Sequence, residues 1–341
     1  MKITLAGPEQ RGIWDAFLAS SPDAEAGHRW TFQELLREVF GQDVHRLVAL
    51  RDERAVGILP LVHQSSLVGR FLTSVPYLNY AGVLSGDADA RKALAEEASA
   101  LGERLKVDRL ELRGRDGSDL PLETWNGKCG YALDLPRTAE ELSKALGAKV
   151  RSQIKRPVKD GFVARVAAED GRRAFYSLLA RRWHSLGSPV LPEAFFAGME
   201  RAFPGEMEYV LVERDGEAAA AGVLLHAGPR VEIPWAASRP EHDRAGVNML
   251  LYWTAIERAM ERGAAVFDFG RSTPGTGNAR FKTQWGALET PLRWNVRAFG
   301  ARGHASERGN ARRDVVASTW RMLPTFLVNR LGPILAARIP Y

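Results

Sequence analysis

The chain has 341 residues, 45% hydrophobic and 26% charged, proportions that exclude a disordered or fibrous protein and set a prior of two domains. A single cysteine, Cys129, excludes an internal disulfide and a cysteine-based zinc site, and the seven histidines include no HExxH or comparable metal spacing. The net charge of +6 is concentrated in two zones, Lys144–Lys159 with six basic residues and no acidic one, and Arg302–Tyr341 with seven arginines against Glu307 and Asp314, which suits anionic partners as well as a solvated face.

The N-terminus turns polar at once and has no signal-peptide apolar region, and no apolar run approaches the ~18 residues of a membrane span, so a cytoplasmic protein is expected. His45–Gln64 reads as a hairpin with its turn at Arg51–Arg54, and Phe71–Ser85 as a second extended segment. Leu94, Ala98, Leu101 and Leu105 then mark an amphipathic helix, and Asp108–Gly114 a short strand. Tyr131–Leu135 is strand-like, and a helical segment from about Thr138 leads into the basic stretch. Arg172–Gly187 reads as a helix carrying Trp183 and His184, ended by a Gly-Ser-Pro turn. Glu208–Ala227 is a hairpin turned at Asp215–Gly216, followed by the strand Arg230–Ser238. A helix from about Asn248 to Arg262, stopped by Gly263, precedes the strand Ala265–Ser272. The order hairpin, strand, helix, strand thus occurs twice, which indicates a duplicated domain rather than a solenoid. The expected fold class is α/β (α+β): two domains in tandem, each a mixed, mostly antiparallel sheet flanked by helices.

The densest chemistry follows the last strand. Arg271 and Ser272 should lie at its carboxyl end, where ligands of open α/β sheets bind. The loop Pro274–Asn278 contains Gly275 and Gly277, which permit close backbone approach to a ligand, and leads to Arg280, Phe281 and Lys282. Asp268 faces away from Phe267 and Phe269 on its strand and is either a general base or a buried structural carboxylate. Trp235, Tyr252, Trp253, Trp285 and Trp294 either line a sugar or acyl pocket or fill the core.

FDFGRS followed by GxxRFKxQWGA, together with PWAAS, NMLLYW and KVRSQIKR, resembles the FemAB family, most closely its branch associated with exosortase (PEP-CTERM) and exopolysaccharide gene clusters. The resemblance extends over nearly the whole chain. It implies two GNAT-like domains: residues 1–140, residues 141–300 with the active site, and a basic amphipathic tail over 301–341. Better-known members transfer an amino acid from aminoacyl-tRNA to an amine on a peptidoglycan precursor and use a Phe-Lys pair, which Phe281-Lys282 resembles. Lys282 is therefore the leading catalytic candidate, joined by Arg271 and Asp268. A fixed ammonium would stabilise the oxyanion formed when an amine attacks an acyl carbonyl.

The resemblance also implies that Lys149, Arg151, Lys155 and Arg156 contact an anionic substrate; Asn248 and, from their place at the strand end and loop, Ser272, Gly275, Gly277 and Arg280 are further binding candidates. No sustained heptads provide the coiled-coil arm of some members, so their tRNA-binding mode does not carry over. In the stretch Asp243–Asn248, which corresponds to the GNAT pyrophosphate loop, only Gly246 fits that motif, and Asn248 reads as a helix N-cap. The expected donor is aminoacyl-tRNA or acyl-CoA, with no tightly bound cofactor and no metal. The acceptor is an amine on an envelope, peptidoglycan or exopolysaccharide precursor. The tail, apolar residues interleaved with Arg321, Arg330 and Arg338 and cut by prolines, either docks on the protein or lies at the inner-membrane surface. Two alternatives are an acyl-CoA-dependent N-acetyltransferase and a non-catalytic RNA- or glycan-binding adaptor.

Overall fold

The computed structural model describes residues 1–66, 69–117, 119–300 and 317–338, without the side chains of 325, 326 and 329. Strands β1 (Lys2–Leu5), β2 (Asp43–Arg51), β3 (Arg54–Ser66), β4 (Gly69–Thr73), β5 (Arg109–Leu112) and β6 (Glu123–Trp125) come first, with helices α1 (Arg11–Ser20), α2 (Trp30–Phe40) and α3 (Ala88–Arg104). Next come β7 (Cys129–Asp134), α4 (Ala139–Ala145), α5 (Ala148–Lys159), β8 (Val163–Ala167), α6 (Arg172–Leu186) and α7 (Glu193–Ala202). Then follow β9 (Met207–Arg214), β10 (Glu217–Ala227), β11 (Arg230–Ser238), α8 (Val247–Glu261), β12 (Val266–Ser272), α9 (Gly277–Thr283), β13 (Leu288–Pro291) and β14 (Trp294–Ala298). A final helix, α10, spans Thr325–Ala336.

The described strands form two seven-stranded mixed sheets, ordered β1-β2-β3-β4-β5-β14-β6 and β13-β7-β12-β11-β10-β9-β8. In both, a hairpin and a third antiparallel strand lead through a helix to a parallel partner, β4 to β5 and β11 to β12. This is the duplicated order expected from the sequence. The chain divides into unit 1, Met1–Gly127 with Leu292–Val316 and Ile334–Tyr341, and unit 2, Lys128–Pro291 with Ala317–Pro333.

The division departs from boundaries at 140 and 300. Strand β7 pairs with β12 and β13 in the second sheet, whereas β14 lies between β5 and β6 in the first. Each unit therefore contains a strand that a linear partition assigns to the other. Backbone pairing outranks chain order here: β12 and β5 each find their remaining neighbour in a strand distant along the chain. Of the 301–341 tail, residues 301–316 and 339–341 lie outside the described residues.

Sheet 1 is covered on both faces, so its strands are nearly continuously apolar. Leu47, Leu59 and Leu61 pack with Leu94, Ala98 and Leu101 of α3, while Val48, Leu50 and Ile58 pack with Trp14 and Trp30. Unit 2 is organised around α8: Leu251, Ala255, Ile256 and Ala259 meet Phe267 and Phe269 of β12, with Tyr131 and Leu133 of β7 and Val150 and Ile154 of α5 in the same core. Of the segment Phe71–Ser85, only the part through Thr73 forms regular strand; Tyr77 there has φ +70°.

Candidate active site

The site is organised by the end of β12. Its pairing with β7 shifts register between Asp268 and Arg271, and Gly270 sits in this bulge at φ +69°, a conformation that costs a side chain roughly 1–2 kcal/mol. Asp268 is fully buried; its Oδ1 accepts from the Gly270 N–H at 2.8 Å and its Oδ2 lies 3.5 Å from Arg230. These contacts fix the carboxylate in place at the bulge.

The bulge aims two carbonyls at one lysine. Lys282, on α9, is only 8% exposed, and its Nζ donates to the oxygens of Gly270 at 3.1 Å and Arg271 at 3.0 Å. The ammonium also lies 5.4 Å from the centroid of the Tyr131 ring, a cation–π distance. Burial lowers its pKa to about 8; Asp268 and Glu232 oppose that shift, and Arg271 and Lys128 add to it. Short α9 is fixed by Thr276, whose Oγ1 caps Ala279 N and donates to Thr273 O, in a turn where Gly275 has φ +74°. Arg280 closes the turn from outside, donating to Gly275 O at 3.0 Å, and Gly277 is exposed at the first position of the helix.

A second feature is the parting of β11 and β12. Their parallel pairing covers only Arg230–Glu232 with Val266–Asp268, after which β11 continues on β10 alone through Ser238. The equivalent place in unit 1 is closed. Beyond Thr73 and Glu111, Ser74 N bonds Glu111 O, Ala81 N bonds Arg113 O, and Gly82 approaches Gly114 so closely that a Cβ would lie 2.6 Å from its Cα. Among the described residues, unit 2 combines a parted strand pair with a lysine buried against the end of β12.

Other candidates disperse. Trp235 is buried edge-on to Phe195 and Phe196, and Trp285 is 1% exposed, so both are core residues rather than a pocket lining. Trp294 belongs to unit 1, 5.1 Å from Trp125. Tyr252 stacks on Phe269 and meets Phe281 edge-on at 4.9 Å, an aromatic row beside Lys282; burial pushes its hydroxyl up to about 12. Asn248 is not an N-cap: Gly246, at φ +84°, takes that place, and Asn248 donates to Ser238 Oγ, which in turn donates to Asp243. On α5, Arg151 turns back to the carbonyls of Ser143 and Leu146, and Arg156 lies 3.9 Å from Asp160, while Lys149 and Lys155 are exposed. The helix's apolar stripe, Val150, Ile154 and Pro157, is buried.

Two residues at the site, Lys128 and Tyr131, have no motif in the sequence. Lys128 donates to Thr273 Oγ1 at 2.6 Å, and Tyr131 donates to Glu289 at 2.7 Å. The signal available was the strand-like segment after Cys129, but nothing local says that it pairs with β12.

The fold agrees with known proteins. Residues 146–283 match the family model for the acetyltransferase (GNAT) domain, so unit 2 contains a domain of the GNAT class. The whole chain has the tandem GNAT fold. It is similar to the structure of FemX (TM-score 0.68, 15% identity, 92% of this chain and all of that one) and to a tandem GNAT protein from the clavulanic acid biosynthesis pathway (TM-score 0.55, 12%, 87% and 98%). It is also similar to L-PGS from Bacillus licheniformis (TM-score 0.53, 10% identity, 96% and 98%). No curated protein sequence matches it.

Proposed function

We propose that the chain is an N-acyltransferase of FemAB type, with its active site in unit 2, which forms an amide by moving an aminoacyl or acyl group onto an amine of an envelope or exopolysaccharide precursor. The observation that carries this reading is the buried Lys282, oriented by two bulge carbonyls beside the parted strands. The acceptor nitrogen attacks the donor carbonyl, and the Lys282 ammonium stabilises the developing oxyanion. Attack forms the C–N bond; collapse restores the C=O and breaks the donor's C–O or C–S bond, and the proton lost by nitrogen passes to the leaving group. A preorganised donor of this kind contributes about 3 kcal/mol, or roughly 10²–10³ in rate.

The test is transfer from charged tRNA and from acyl-CoA to amine acceptors by wild type and Lys282→Ala. A 10²–10³-fold lower kcat is expected of the variant with the true donor; full activity would remove Lys282 from the mechanism. The use of Gly246 as a cap, with Asp243 beside it, supports an aminoacyl ester over CoA, because an aspartate there repels a pyrophosphate.

A peripheral membrane location is supported by α10. Val328 and Ala336 are buried, whereas Leu331, Ile334 and Leu335 are 40–53% exposed next to exposed Arg330 and Arg338. None of the described helices is long and apolar enough to cross a membrane. An apolar ridge with flanking arginines suits an anionic bilayer surface. Sedimentation with vesicles containing phosphatidylglycerol, but not with phosphatidylcholine alone, is expected, and Ile334→Asp with Leu335→Asp should abolish it.

A further inference from the structure

Tyr131 stands at the centre of the strands that carry the site. In the β7–β12 register Gly130 faces Arg271 and Ala132 faces Asp268, so Tyr131 lies opposite the bulge itself. On the other side of β7 it is paired with Glu289 of β13. Directly opposed residues share one face of a sheet, and the Tyr131 hydroxyl donates to Glu289 Oε2 at 2.7 Å. The tyrosine is fully buried, and the Lys282 ammonium stands over its ring, 5.4 Å from the centroid. Carboxylate, phenol and ammonium thus follow one another in contact. A buried tyrosine needs a partner for its hydroxyl, and any neutral acceptor would serve. Here the acceptor is a carboxylate, and among the described residues no lysine, arginine or histidine lies within ion-pair distance of Glu289. Its other contact is the thiol of Cys129, which burial and Glu289 together keep protonated.

We infer that Glu289 is a positioning residue that acts on Lys282 through Tyr131. The carboxylate holds the phenol ring beneath the ammonium and enriches the face of that ring in negative charge. The face of an aromatic ring is its negative side, and a cation above it is attracted most strongly where water is excluded. An O–H···O⁻ bond polarises the phenol, and linked polar groups in a low-dielectric interior reinforce one another. The pull on the ammonium has the same sense as that of Asp268 and Glu232, against burial and the charges of Arg271 and Lys128. An oxyanion stabiliser has to stay protonated without being neutralised. A carboxylate in direct contact would satisfy the first need and spoil the second, whereas an aromatic face attracts the cation and leaves its charge available. The inference rests on the acyltransferase reading for what the ammonium does, but the coupling itself needs no turnover.

NMR titration of the full chain labelled with ¹³C-lysine tests the coupling, the Lys282 signal being identified by its loss in Lys282→Met. Relative to wild type, the midpoint is expected to fall by about 0.5–1 pH unit in Tyr131→Leu, which removes the ring. It should fall by a smaller amount in Tyr131→Phe and in Glu289→Gln, which keep the ring but remove the link or its charge. The double variant Tyr131→Phe with Glu289→Gln should titrate where Tyr131→Phe does, because the carboxylate has no route to the ring once the hydroxyl is gone. Glu289 is exposed and phenylalanine fills the space of the tyrosine ring, so these variants carry the test even if Tyr131→Leu does not fold. A merely structural hydrogen bond would change the urea midpoint and leave the Lys282 titration in place. Midpoints within about 0.1 unit of wild type in both single variants would overturn the inference. So would an additive shift in the double variant, since Glu289 would then act independently of the phenol. Unshifted titrations leave the acyltransferase reading intact, whereas full transfer activity in Lys282→Ala sinks that reading and leaves the coupling standing.

Discussion

Lys282 carries opposing demands. As an oxyanion stabiliser it must be protonated, yet its surroundings lower its pKa to about 8 from the ordinary 10.5. Transfer should therefore decline above pH 8, approaching tenfold per pH unit, on top of any rising limb from the acceptor amine. A rate that instead rises through pH 8 with the same midpoint would make Lys282 a base. The same shift fixes a stability dependence. Between pH 8 and 10.5 the unfolded chain holds more protons at this lysine than the folded one, so unfolding free energy increases with pH across that window; below pH 8 the cost of burying the ammonium is present in full, on the order of 3 kcal/mol. Replacing it with an apolar side chain of similar length, Lys282→Met, should leave stability at pH 7 unchanged or higher while removing activity, as measured by urea unfolding and transfer rates. A loss of more than about 2 kcal/mol would mark the residue as mainly structural.

The bulge in β12 is the element on which this geometry depends. A regular strand would alternate its carbonyls between neighbours; the left-handed Gly270 turns two consecutive ones toward α9. Gly270→Ala is expected to cost about 1–2 kcal/mol in denaturant unfolding and to lower kcat by more than that stability loss alone accounts for, because it displaces the carbonyls that orient the lysine. Much of this was legible in the residues. The repeat of hairpin, strand, helix and strand follows from apolar periodicity and from turn signals such as Asp215–Gly216. The helix cap at Gly246 was not legible, since Asn is the stronger local capping residue. What decides there is tertiary: Asn248 finds Ser238 across the unit, and a Cβ at position 246 would come within 3.3 Å of Gln153 O. Lys128 was missed for a similar reason, because its partner Thr273 is 145 residues away.

For the whole molecule, the exchange of β7 and β14 makes the units unequal in autonomy. A fragment covering Met1–Gly127 lacks β14, which bonds both β5 and β6, and loses the Trp125–Trp294 contact. It is expected to aggregate through the bare β5 edge, as light scattering would register. Lys128–Pro291 keeps all seven strands of its sheet and should melt cooperatively. Cooperative melting of the first fragment alone would refute this assignment of the strands.

A chain wired in this way also imposes a schedule on its own synthesis. At ~5–20 residues per second, a ribosome takes roughly 10–40 s to travel from the codons of β5 to those of β14. When β14 leaves the ribosome, every strand of the later sheet has already emerged. The half of the protein that is written first must therefore be finished last.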